Sequence, residues 1–237
     1  MSKLILPKFY ALYSGGKDST VMASVLQEAG MLESCVSFDT GISAPDWMEF
    51  VVKSCADRGW PLEIYKTPAS YDDLVMKYGF PGPGMHGQFM NYLKGRCVRE
   101  FNKVHRGACL ASGVRKGESL RRWRNTKQWS MMEGVPVYAP IYDWTTEQTW
   151  AYFNSKGFER SPAYATLCIS GDCLCGAYAT KGEREIIGAV YPSVGARLDA
   201  LEKAKGEGWG ARSGKSKRKL KNSNVLCVDC DLKEKLL

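Results

Sequence analysis

"KFYALYSGGKDSTVMASVLQEAG", residues 8–30, decides the fold. Residues 8–14 form an apolar, aromatic-rich run with the composition of a buried strand. Two glycines, a lysine and an aspartate follow at once. Val21, Val25, Leu26 and Ala29 then recur on one helical face, and Gly30 ends the helix. A strand turning through Gly15-Gly16 into a helix points backbone N–H groups and the positive end of the helix dipole at one place, which suits an anion. Both glycines let oxygens approach the backbone closely. Ser14, Ser19 and Thr20 add hydroxyl donors, and Lys17 adds charge. A plain glycine turn is the competing explanation.

Outward from this stretch the pattern alternates. "ESCVSFDTG" (33–41) is an expected second strand ending in Asp39-Thr40-Gly41. "APDWMEFVVKSCADRG" (44–59) is a helix with Pro45 in its first turn, and "PLEIYKTP" a third strand. Strand–helix–strand–helix–strand at this spacing predicts a right-handed parallel βαβ sheet, an α/β fold with helices on both faces. "YGFPGPGMHG" (78–87) is a loop, followed by a helix through Lys103. "GACLASGVRKGES" (107–119) supplies a fourth strand and a polar loop. "VPVYAPIYDWTTEQTWAYFNSKG" gives a short strand and a helix with Thr145 as N-cap. A glutamate comes two residues later, so no full capping box is expected. Residues 1–165 are expected to form the nucleotide-binding α/β domain. Residues 166–237 form a small Cys-rich metal-binding region with a basic, mobile linker at about 204–224.

The chain has 237 residues, 44% hydrophobic and 24% charged, as in an ordinary globular protein. No run reaches the length of a membrane span, so no membrane partner is expected. The N-terminal run lacks a small-residue cleavage site and reads as a first strand rather than a signal peptide. Nine cysteines in a chain without a leader point to metal or redox chemistry in a cytoplasmic protein, where thiols stay reduced. The net charge of +8 is concentrated. Residues 203–222 hold eight Lys/Arg against one Glu, leaving the rest nearly neutral. Any attraction to a polyanion would therefore come from that segment, whose one aromatic residue, Trp209, makes no evident stacking platform for bases.

Two nucleotide motifs are excluded. A Walker loop needs glycine where Ala11 stands and Ser/Thr where Asp18 stands, and G-x-G-x-x-G is absent. SGGKDS resembles instead the PP-loop of the adenine-nucleotide α-hydrolase superfamily. "FDTG" resembles the second-strand element of the 3′-phosphoadenylylsulfate (PAPS) reductase family. "SGVRKGESLRR" is similar to that family's G-x-R-x-x-x-S-x-x-R loop, matching Gly113, Arg115, Ser119 and Arg122. "APIYDWTTEQTWAYF" and "SPAYATLCISGDCLCGA" resemble two further elements, and the likeness runs over roughly residues 8–180. It implies a PP-loop ATP pyrophosphatase-like fold. The implied nucleotide site is Ser14, Gly15, Gly16, Lys17, Asp18, Ser19, Thr20, Asp39, Thr40, Gly41, Gly113, Arg115, Ser119 and Arg122. Lys17, Asp18, Arg115 and Arg122 are its catalytic candidates. Forked arginine bonds suit phosphate or sulfate oxygens. Asp39 can bond ribose or adenine or help place Mg²⁺. Asp18 can serve a metal or simply the helix N-terminus. His86 and His105 are the only histidines.

Cys35, Cys55 and Cys109 are expected core residues. Cys173, Cys175, Cys227 and Cys230 form C-x-C and C-x-x-C pairs in polar, Gly- and Asp-bearing surroundings, and are the expected four-thiolate set. Cys168 and Cys97 are substitutes. The resemblance favours a 4Fe–4S cluster, while thiolate count fits zinc equally. The family's C-terminal Glu-Cys-Gly-x-His element is missing; this chain ends "VLCVDCDLKEKLL". Three functions follow. The first is ATP-dependent adenylylation coupled to sulfur transfer, with nucleic acid as a possible acceptor. The second is a sulfonucleotide reductase acting on PAPS or adenylylsulfate with a thiol reductant. The third is a non-catalytic, metal-stapled nucleotide-binding module.

Overall fold

The computed structural model describes residues 7–213, without the side chains of Leu120 and Arg121. Chain order is β1 (Phe9–Leu12), α1 (Lys17–Glu28), β2 (Leu32–Asp39), α2 (Trp47–Ala56), β3 (Leu62–Lys66), α3 (Tyr71–Tyr78) and α4 (His86–Met90). A π turn (Asn91–Gly95) leads into α5 (Arg96–Val104) and β4 (Leu110–Ala111). A 3₁₀ turn (Lys116–Glu118) precedes α6 (Leu120–Asn125), β5 (Trp129–Met132) and β6 (Val135–Tyr138). The last four helices are α7 (Thr146–Ser155), α8 (Pro162–Leu167), α9 (Glu183–Val190) and α10 (Pro192–Lys205).

The strands form one sheet in the order β3-β2-β1-β4-β6-β5. All neighbours are parallel except β5, which runs antiparallel to β6. Strand β2 shows why helices cover both faces. Cys35 belongs to the large core with Val21, Trp47 and Leu198, whereas Val36 belongs to a second cluster with Val98, Phe101 and Val137. Alternate side chains of one strand thus enter two cores. The large core runs from Phe9 to Trp209. Strand order reverses at β1, with β2 on one side and β4 on the other, so the crevice at their carboxyl ends is the place where open α/β sheets bind ligands.

Several local expectations change. The sheet is not wholly parallel: β5 and β6 form a hairpin whose two-residue turn has Glu133 at φ 50° and Gly134 at φ 80°. Positive φ at both positions matches the right-handed twist of paired strands. Helix α2 starts at Trp47 with Asp46 as N-cap, so Pro45 lies just before it. Helix α7 does have a capping box. Thr145 accepts from the Gln148 backbone N–H, and the Gln148 side chain accepts from the Thr145 N–H, because glutamine serves as well as glutamate.

The stretch after Lys203 is also more ordered than its composition implies. Gly206 caps α10, and Trp209, only 6% exposed, donates its indole N–H to Leu174 O at 3.0 Å. Arg212 pairs with Glu207 and donates to Tyr78 O at 3.0 Å. The rest of the expected mobile linker, with Cys227 and Cys230, lies outside the described residues.

Candidate functional site

The phosphate loop leaves β1 at Tyr13 and turns at Gly15, where φ is +74°. A Cβ there would also stand 3.1 Å from the Phe50 ring. Gly16 is the N-cap of α1, and with no side-chain cap the first N–H groups of the helix face the crevice. Hydroxyls fix the turn. Ser19 Oγ donates to Gly16 O at 2.9 Å and Thr20 Oγ1 to the same oxygen at 3.0 Å. Ser14 N donates to Ser19 Oγ at 3.3 Å, and the two serine hydroxyls lie 3.2 Å apart. From α2, Trp47 Nε1 donates to Ser14 O at 2.8 Å.

The charged groups have neighbours of their own. Lys17 is buried, with Nζ 3.1 Å from Asp18 Oδ1 and 4.9 Å from the centre of the Trp150 ring. Arg115 is fully buried. Its Nε donates to the same Asp18 oxygen at 2.8 Å, and Nη1 reaches Trp144 O and Thr146 Oγ1. The guanidinium expected to fork onto phosphate thus holds the start of α1. Gly113 explains how the two segments come so close, since a Cβ there would stand 2.7 Å from Asp18 C. Ser119 is the N-cap of α6, accepting from Arg122 N, and Arg122 Nη1 donates to Glu118 at 2.5 Å. Asp39 ends β2, and its carboxylate accepts from Gly41 N at 2.9 Å.

The cysteine loop lies against this assembly. Thr40 Oγ1 donates to Asp172 O at 3.1 Å, Leu174 N to Ile42 O at 2.7 Å and Ala44 N to Gly171 O at 2.8 Å. A Cβ on Gly16 would be 3.2 Å from Ser170 Cβ, so the loop touches the phosphate loop itself. The neighbouring Cys175 and burial push the Cys173 thiol well up, while Cys173 beside it holds Cys175 below its ordinary value. Lys94 sits beside both and bonds Asp172 at 2.5 Å. Burial works against the Asp172 carboxylate, but the Lys94 ammonium outweighs it and keeps the pKa low.

The other cysteines separate from this pair. Cys35 and Cys55 are core residues as expected, and Cys109 is half-buried just before β4. Cys97 is fully buried on α5, donating to Leu93 O and Tyr65 O, with its thiol pushed up to about 11 by burial and by Asp39. Cys168 ends α8 in the left-handed region at φ +55° and is disulfide-bonded. Among the described residues no group of three or more His, Cys, Asp or Glu is placed to hold a metal, so the pair Cys173 and Cys175 is at most half of a site.

Sequence reasoning missed Lys94, Asp172 and Trp150. Asp172 lies inside the quoted cysteine segment but is not singled out there, and Lys94, 78 positions away, belongs to no motif. Trp150 lies within a helical pattern that equally fits a core residue. His86 packs edge-on against Tyr178 at 4.9 Å. His105 lies elsewhere, bonded to Tyr10 and Glu63.

The phosphoadenosine phosphosulfate reductase domain family matches residues 8–198. An uncharacterised protein of Methanocaldococcus jannaschii is 27% identical over 172 residues, 66% of this chain and 41% of that protein. The chain therefore spans less than half the length of this curated relative. Among solved structures, phosphoadenylyl-sulfate reductase from Candida auris, in a phosphate complex, superposes with a TM-score of 0.50 at 18% identity. The superposition covers 66% of this chain and 76% of that one. The U34-tRNA thiolase NcsA from Methanococcus maripaludis, which carries a [4Fe-4S] cluster, gives 0.50 at 16% identity over 83% and 66%. At these identities the two structures share the fold. No described helix is long and apolar enough to cross a membrane.

Proposed function

The chain belongs to the phosphoadenosine phosphosulfate reductase domain family, and on that footing we propose that it is an enzyme that adenylylates an acceptor with ATP and couples this to sulfur transfer. The contact between the two loops carries the reading. Cys173 and Cys175 lie in a loop that touches Gly16 and is bonded to the segment after Asp39, so nucleotide and sulfur chemistry share one crevice. The tRNA thiolase that shares the fold makes nucleic acid the acceptor class to test.

In this mechanism the N–H groups at the start of α1 and the Ser14, Ser19 and Thr20 hydroxyls hold the phosphates of ATP. Lys17 neutralises charge on the departing pyrophosphate, and Arg122 is the second candidate cation. An acceptor oxygen attacks the α-phosphorus, the bond to the bridging oxygen breaks, and pyrophosphate leaves. A sulfide donor then attacks the activated carbon, the carbon–sulfur bond forms, and AMP departs carrying the acceptor oxygen. Asp18 is already shared by Lys17 and Arg115, so Asp39 is the carboxylate better suited to Mg²⁺. Cys173 and Cys175 would supply two thiolates of the expected set, and the disulfide at Cys168 takes that substitute out of it. A cluster or zinc bound there would supply an anchor for sulfur chemistry.

Anaerobically purified protein incubated with ATP, adenylylsulfate or PAPS, with and without a tRNA pool, tests this. Pyrophosphate and AMP from ATP are the expected products, increased by the acceptor. Thiol-dependent sulfite from adenylylsulfate or PAPS, with no pyrophosphate from ATP, makes it a reductase. Nucleotide binding without any turnover makes it a binding module.

A further inference from the structure

Trp123 is an anomaly on the surface. It is 58% exposed on α6, and the Lys116 ammonium lies 4.6 Å from the centre of its ring. Around it the sequence is strongly basic, with six Lys/Arg and one glutamate in residues 115–132. That glutamate, Glu118, is itself buried and bonded to Arg122, so it presents no free carboxylate to a ligand. Arg124, Lys127 and Trp129 are exposed as the chain passes from α6 into β5. Strand β5 is the edge of the sheet. The surface also begins at the candidate site, because Arg115, next to Lys116, bonds Asp18 in the phosphate loop.

We propose that the surface of α6 and β5 docks the acceptor, and that this acceptor is an unpaired stretch of nucleic acid with a base stacked on Trp123. The proposal rests on the adenylylation reading for its purpose, and on charge and aromatic exposure for its chemistry. Basic side chains interleaved with an exposed indole are what a single strand requires, phosphates on the cations and a base on the ring. A duplex hides its base faces and has nothing to offer Trp123. A protein partner is a poorer match, since charged residues separate the two exposed tryptophans. The basic segment 203–222 holds Trp209 as its one aromatic residue, and that ring is buried against Leu174 and is not free to stack.

The test uses the full chain and fluorescence anisotropy of labelled oligo(U), oligo(dT) and a fully paired RNA duplex. Trp123→Ala should weaken single-strand binding roughly 5- to 140-fold, the loss expected for one stacked base. Trp123→Phe should recover most of that loss, and both variants should keep the parental thermal midpoint. Arg124→Gln with Lys127→Gln should lower the slope of affinity against salt concentration. Unchanged affinity in Trp123→Ala overturns the proposal, as does duplex binding as tight as single-strand binding. So does an anisotropy change traced to self-association through β5.

Pyrophosphate assays run alongside separate the two readings. Single-strand binding that depends on Trp123, without pyrophosphate release by the parent, keeps the docking surface and removes the adenylylation. Acceptor-stimulated pyrophosphate release that is equal in parent and Trp123→Ala does the reverse.

Discussion

Asp18 stands between two cations, Lys17 at 3.1 Å and the fully buried Arg115 at 2.8 Å. Gly16, two positions earlier, is held by the Ser19 and Thr20 hydroxyls. Removing a partner from a buried pair leaves a charge without compensation, a cost of about 3 to 5 kcal/mol. Asp18→Ala should therefore lose stability of that order in a denaturant titration, and nucleotide affinity with it, because the start of α1 loses its anchor. If the variant is as stable as the parent, Arg115 does not depend on Asp18. The sequence makes both residues visible through their motifs. Their pairing is not visible, since 97 positions separate them and only the approach of Gly113 to the α1 backbone brings them together. For the same reason the motifs do not show that Arg115, expected to fork onto phosphate, bonds Asp18.

Helix α5 and the sheet are joined by a polar network. His105, just past the end of α5, lies 2.8 Å from Glu63 on β3 and 3.0 Å from the Tyr10 hydroxyl on β1. Ser34 and Tyr65 also donate to Glu63 at 2.9 Å. Burial raises the Glu63 pKa, but the bonds from His105, Ser34 and Tyr65 outweigh it and leave the group below its ordinary value. A carboxylate lowered on folding adds stability above its unfolded pKa, and that stability is lost as pH falls through the folded value. The parent should thus lose thermal stability over the acid range just below the ordinary carboxylate pKa. Glu63→Gln should flatten that limb. Equal acid limbs for the two proteins would rule out the network as their source. At this scale the glycine-bounded and strongly periodic elements are legible, namely β1, α1, β2 and β3. Strand β5 is not, because "WSMM" exposes apolar residues on an edge and lacks the alternation of a half-buried strand. The capping box is overlooked because its partner is Gln148 in place of a glutamate.

In the whole molecule, the chain after α10 returns to close the cysteine loop. The Trp209 ring lies where a Cβ on Gly176 would be, 2.7 Å from its atoms, and its indole N–H is bonded to Leu174 O. Truncating a buried tryptophan to alanine costs about 3 to 5 kcal/mol. Trp209→Ala should show that loss in thermal unfolding, and protein purified anaerobically should carry less metal. Metal content equal to that of the parent would mean the thiol loop does not need this support. Composition conceals such a clasp: a lone tryptophan among Gly, Ser and Lys reads as linker, and only the glycine opposite makes room for its ring. The three bonds between residues 40–44 and the cysteine loop have a further effect. They make the two halves of the crevice subject to thermodynamic linkage. If bound nucleotide changes the affinity of the thiols for their metal by some factor, loaded thiols change the affinity for nucleotide by the same factor. Metal status would then set the nucleotide concentration at which the site half-fills.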